Sequence, residues 1–160
     1  MKKSSIALAL SLGLAVSAAQ AQEAFNQDNL YVGGGVGINS LSGFDDATGF
    51  QFFGGYKLDM VDLGAINMAA EVGYMDTGDF KWNGWNAGSV SGLWANAVFG
   101  FPINPQFQLL GRIGLDFGDD DGLMFGAGVG YAVNPQFELR GEYVIRDNVD
   151  SLQANLVYHF

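Results

Sequence analysis

The sequence predicts an all-β protein, an eight-stranded antiparallel up-and-down transmembrane β-barrel. Three observations carry this expectation. Apolar and polar side chains alternate through segment after segment, one parity of that alternation is free of charge, and no internal segment has helical periodicity. The last ten residues show the pattern most plainly. Leu152, Ala154, Leu156, Tyr158 and Phe160 fall on one face of an extended strand, with Gln153, Asn155, Val157 and His159 on the other. A strand at the chain end must find its hydrogen-bond partners earlier in the sequence, and a closed barrel supplies them.

At the amino end, Met1-Lys2-Lys3, the apolar run 6–19 and Ala19-Gln20-Ala21 have the charged, apolar and small-residue parts of a secretory signal peptide. The expected leader is 1–21, cleaved after Ala21, followed by a short periplasmic lead-in, 22–29, and a barrel over 30–160. The alternative, an anchoring helix, needs ~20 apolar residues, and this run has ~14. An exported chain is either soluble outside the inner membrane or crosses a second membrane as strands.

Seventeen acidic against seven basic residues give a net charge of −10 over 160 residues. That balance argues against a nucleic-acid or phosphate-binding surface. The absence of cysteine excludes disulfides and thiol chemistry. Charged residues are 15% of the chain, below the ~25% of soluble domains, while aromatics reach 14% and glycines number 24. Something other than water is expected to cover much of the surface.

The eight segments are 30–39, 49–58, 66–76, 90–101, 107–117, 122–133, 137–146 and 151–160, each of the ~9–12 residues a tilted strand needs to cross a bilayer. Connections after the second, fourth and sixth are compact: 59–65, 102–106 and 134–136. Two of them share Asn-Pro-Gln-Phe, at 104–107 and 134–137, where proline fixes a turn and donates nothing to a ladder. The others, 40–48, 77–89, 118–121 and 147–150, are polar, and the second is long. Short turns at one end and longer loops at the other place both termini in the periplasm.

Every charge within the segments, Lys57, Glu71, Arg112, Asp116, Glu138, Arg140, Glu142 and Arg146, falls on the parity opposite the apolar face, with four of each sign to neutralise one another. A soluble lipocalin-like barrel has the same period with the faces reversed. The polar face decides against it: Gly33, Gly35 and Gly37, then Gly126, Gly128 and Gly130, make a poor aqueous coat. Bare glycine walls do suit the crowded interior of an eight-stranded barrel, where they leave room for long Arg and Glu chains.

With its leader, eight amphipathic segments, Y-V-G-G-G-V-G at 31–37, L-R-G-E-Y at 139–143 and a Y-H-F ending, the chain resembles the small outer-membrane β-barrels typified by the OmpA transmembrane domain and OmpX. The resemblance covers the whole mature chain and implies an outer-membrane location among lipid and lipopolysaccharide. It further implies that Tyr158 and Phe160 belong to the signal read by the barrel-assembly machinery, with periplasmic chaperones as escorts. Unlike OmpA, the sequence has no peptidoglycan-binding domain, so wall anchoring is not implied.

Buried charges persist when paired. A mid-barrel network of Glu71, Arg112, Arg140 and Glu142 is therefore expected, with Lys57 and Glu138 in the same lumen set. It serves as a structural plug, or alternatively as a gate. In the long loop, Phe80, Trp82 and Trp85 are candidates for binding an extracellular ligand, or equally for an aromatic girdle at headgroup level. Asp119-Asp120-Asp121-Gly122 fails the EF-hand pattern, because the first position is Phe117 and the twelfth Gly128, and reads as a solvated acidic turn. No metal or cofactor is expected. Outer-membrane hydrolases, acyltransferases and proteases need a histidine near the outer rim, and the sole histidine, His159, lies at the other end. Gly126 and Gly128 are followed by Tyr131 rather than the third glycine of a nucleotide loop, with no helix after them.

The expected protein is a monomeric non-enzyme with a closed polar lumen, acting in envelope integrity or surface interaction. A narrow small-solute channel is the alternative, and a lipid-A-modifying enzyme the third reading. The outer-membrane band should shift in electrophoretic mobility on boiling. An unshifted band would contradict a closed barrel.

Overall fold

The computed structural model describes residues 26–59 and 62–160. The expected leader and the first part of the lead-in lie outside the described residues. The rest of the lead-in forms a 3-10 turn, Gln27–Asn29, whose Asp28 N–H donates to Asn26 Oδ1 at 3.1 Å.

Ten strands follow: β1 Leu30–Leu41, β2 Ala47–Lys57, β3 Asn67–Asp76, β4 Phe80–Trp82, β5 Trp85–Gly88, β6 Ser91–Pro102, β7 Phe107–Gly118, β8 Gly122–Ala132, β9 Phe137–Ile145 and β10 Val149–His159. Eight of them close into one antiparallel barrel in the order β1-β10-β9-β8-β7-β6-β3-β2, as expected. The first strand pairs with the last along Tyr31↔His159 to Leu41↔Val149, so the sheet has no free edge and its backbone groups are satisfied internally. The long polar loop holds the separate hairpin β4–β5. The closing strand begins at Val149 rather than Ser151, because Arg146 N–H donates to Val149 O at 3.1 Å and makes the last turn tighter than its polarity suggested.

The two parities separate as expected. Val36, Phe52, Val72, Leu93, Leu139 and Leu152 face outward and are exposed, while Glu71, Arg112, Glu138, Arg140, Glu142 and Arg146 are buried inside. This arrangement, apolar out and polar in, excludes the lipocalin-like alternative.

The repeated Asn-Pro-Gln-Phe builds the same turn twice. Asn104 Oδ1 accepts from the N–H groups of Gln106 and Phe107, each at 2.9 Å, and Asn134 Oδ1 accepts from Gln136 and Phe137 at the same distances. The asparagine side chain thereby caps the N–H groups of the turn that follows it, while its own N–H donates to the phenylalanine carbonyl across the turn.

Inside, large side chains stand opposite glycines. Phe53 pairs with Gly33 and Gly73, Tyr31 with Gly55, Trp94 with Gly73, Arg112 with Gly126, Glu142 with Gly128 and Arg140 with Gly130. A β-carbon on Gly126 would lie 2.6 Å from Arg112 Cγ and 3.1 Å from Val144 Cγ2, whereas one on outward-facing Gly111 would meet nothing within 4 Å. Gly126→Leu should therefore lower the unfolding free energy in urea by ~1–3 kcal/mol, and Gly111→Leu should change it by no more than ~0.5 kcal/mol.

Candidate functional site

The lumen is filled in levels from the terminal end, where Leu30 and Phe160 meet, to the loop end. Nearest the termini is a cavity of about 700 Å³, bordered by Lys57, Gln108, Glu138, Arg140, His159 and Tyr31. On its wall, Glu138 accepts from Gln108 Nε2 at 2.7 Å and Arg140 Nε at 3.2 Å, and its other oxygen lies 3.0 Å from His159 Nε2. Three strands thus converge on one carboxylate.

The next level lies deeper in the lumen. Glu71, 1% exposed, receives Arg140 Nη1 at 2.6 Å and the Tyr31 hydroxyl at 2.8 Å, and its second oxygen is 3.5 Å from Arg112 Nη2. The same Arg112 nitrogen contacts Glu142. Its bonds to the two carboxylates are poorly directed, so charge rather than hydrogen-bond alignment holds this guanidinium. Both guanidinium groups lie over aromatic rings: Arg140 Cζ is 5.2 Å from the Tyr31 centroid and Arg112 Cζ 5.7 Å from that of Trp94.

Above lies an amide level, in which Gln51 Nε2 donates to Gln153 Oε1 at 2.9 Å and Asn155 Oδ1 at 2.8 Å. Above that, Arg146 donates to Asp116 and to Ser151 Oγ, each at 2.8 Å, and Ser151 in turn donates to Asn39 Oδ1 at 2.6 Å. Ala47, Phe80 and Val149 then form an apolar cap, with Leu41 and Val90 packed against it.

Of the lumen charges singled out from sequence, the structure brings Glu71, Arg112, Arg140, Glu142 and Glu138 together. Lys57 stays apart and has no ion-pair partner among the described residues. Its strand position explains this, since Gly55 is the residue opposite Glu71 and Lys57 lies two residues nearer the mouth. The side chain beside Glu138 is His159 instead.

Two further expectations are corrected. Phe80, expected to be exposed beside Trp82 and Trp85, is 1% exposed, because it fills the apolar cap; the two tryptophans are 59% and 77% exposed. The acidic stretch 119–121 is not simply solvated. Asp120 is buried and accepts from Asn148 N–H at 3.2 Å, Asn148 Nδ2 at 2.6 Å and Val149 N–H at 3.2 Å, tying one loop to the next. Sequence reasoning missed Tyr31, Phe53 and Trp94, although all three lie on the charged parity. Tyr158 and Phe160 face outward at the terminal end with ring centroids 5.1 Å apart. Among the described residues no three His, Asp or Glu side chains converge as a metal site would require.

A family profile described as outer membrane protein beta-barrel domain matches residues 6–160. The chain belongs to that family. It is accordingly an outer-membrane β-barrel protein. Three solved structures of the same fold are Ail of Yersinia pestis, the neisserial surface protein NspA and the amino-terminal barrel of OprF from Pseudomonas aeruginosa. Ail superposes with a TM-score of 0.54 at 17% identity, over 82% of this chain and 96% of its own. NspA gives 0.52 at 18% over 82% and 97%, and OprF 0.53 at 13% over 82% and 98%. Ail has also been solved in complex with the heparin analogue sucrose octasulfate. At these identities the likeness to the barrel family's solved members is one of fold alone. Among curated proteins no sequence match was found.

Arg112→Met should lower stability by ~3–5 kcal/mol, because it strands Glu142 and half of Glu71 without a counter-charge. Replacing Glu71, Arg112 and Glu142 together by apolar residues of like volume should cost less than the single change. Urea unfolding of the refolded barrel in micelles measures both.

Proposed function

We propose that this outer-membrane barrel has a closed polar lumen whose charge network is a structural plug, and that its work is done in envelope integrity and at its loops. The observation that carries the reading is the unbroken sequence of filled levels above the terminal cavity. A solute entering from the termini would meet the Arg140–Glu71–Arg112–Glu142 level, then amides, then Arg146–Asp116, then the apolar cap. Moving any one of these charges aside would break contacts with at least one other strand.

The narrow-channel reading rests on the 700 Å³ cavity, which reaches inward as far as Arg140. An enzymatic role finds little support. His159, the sole histidine, is turned into the lumen against Glu138 at the terminal end, far from the loops where an acyl chain or a surface substrate would be met. The surface-interaction role is favoured by Trp82 and Trp85, which stand exposed on a hairpin outside the barrel. The loops there are acidic, so a polyanion such as the heparin analogue seen on Ail is a poor match in charge.

The proposed surroundings are outer-membrane lipid and lipopolysaccharide, with the protein as a monomer. Outward-facing Tyr158 and Phe160 suit recognition by the assembly machinery, delivered by periplasmic chaperones.

In planar bilayers the wild-type protein should show no steady conductance at moderate voltage. Stable openings in the wild type that change in size or frequency with Arg112→Gln or Glu142→Gln would replace the plug with the gate.

A further inference from the structure

We propose that the tip of the β4–β5 hairpin is a docking point for a cationic polypeptide segment, whose arginine or lysine side chains stack on the indoles of Trp82 and Trp85. The inference rests on the surface-interaction reading and names its partner class.

The hairpin is built to hold two aromatic side chains in place. Its turn is Asn83-Gly84, with φ of +50° and +82°, the left-handed pair that two-residue hairpins favour. Trp82 pairs directly with Trp85 across that turn, so both side chains emerge on one face. The base is fixed from three directions. Phe80 is sunk into the apolar cap against Ala47 and Val149. Asn86 Nδ2 donates to Asp79 Oδ2 at 2.8 Å, and Asp45 N–H donates to Lys81 O at 2.9 Å, which ties the hairpin to the first loop. A partner would therefore meet a preorganised pair of rings and lose little freedom in ordering them.

Charge selects the occupant. Asp45, Asp46, Asp79, Asp119, Asp121 and Asp147 are exposed around this end, and Lys81 is the one exposed base there among the described residues. A surface of that sign steers cations inward and turns polyanions away. The electron-rich face of tryptophan is the aromatic surface that binds a guanidinium or ammonium group best. The rings and the rim thus ask for the same partner. A lipid belt fits less well, because the two indoles stand among the polar side chains of Lys81, Asn83 and Asn86 rather than in an apolar stripe.

The test uses the full barrel in phosphatidylcholine nanodiscs, with empty discs as the blank. Fluorescent nona-arginine should bind at low salt and weaken as salt rises. W82A/W85A should weaken it about tenfold, the combined effect of two exposed cation–ring contacts, with the boiling-dependent mobility shift intact. D45N/D79N should slow association, and sucrose octasulfate should not bind. Equal nona-arginine affinity in wild type and W82A/W85A would overturn the inference. So would protection of both indoles from acrylamide by the disc lipid, which would make them a membrane belt. Trp-dependent binding of a neutral oligosaccharide without nona-arginine binding would also overturn it, while leaving the surface-interaction reading standing.

Discussion

The width of an eight-stranded barrel is set by strand number and tilt, and its interior holds one layer of side chains and little more. Every other feature of this lumen follows from that limit. An interior lined evenly with large residues could not close, and one lined evenly with glycine would be hollow. The chain alternates the two across neighbouring strands, so that Phe53 fills the space left by Gly33 and Gly73, and Arg112 that left by Gly126. The glycines are as much a part of the ion network as the charges, because they set where each guanidinium and carboxylate comes to rest.

Once volume has brought the charges together, electrostatics determines who pairs with whom. In a space remote from water an unpaired carboxylate is costly, and Glu71 has partners from three strands. Tyr31 and Trp94 add to this in a way that charge counting overlooks. Each places an aromatic ring under an arginine that also contacts a carboxylate, so the cations are attracted from two sides without a further counter-ion. Apolar residues such as Met124, Val144 and Val157 fill what remains.

The barrel was legible in the sequence because alternation with a charge-free face has a single physical solution in a bilayer. Parity placed Arg112, Arg140, Glu71 and Glu142 inside, and the cost of an unpaired buried charge implied that they meet. Three things were not legible. Lys57 shares the inward parity, but only the register of β2 against β3 shows that it falls below the network. Tyr31 and Trp94 were missed because an aromatic residue in a membrane strand is commonly a lipid-facing one, and parity alone contradicts this here. Phe80 looked like a loop residue, and its burial depends on Ala47 and Val149 arriving at the starts of β2 and β10, a contact that no local pattern announces.

The arrangement of Glu71's partners has a consequence for how the protein can come apart. Its hydroxyl donor comes from the first strand, one guanidinium from β7 and the other from β9, while the last strand contributes His159 to the same cluster through Glu138. A ribbon lacking any one of these segments would carry naked charge on a surface bound for hydrocarbon. Intermediates with a few strands inserted are thereby penalised, and assembly and disassembly are driven toward a single concerted event.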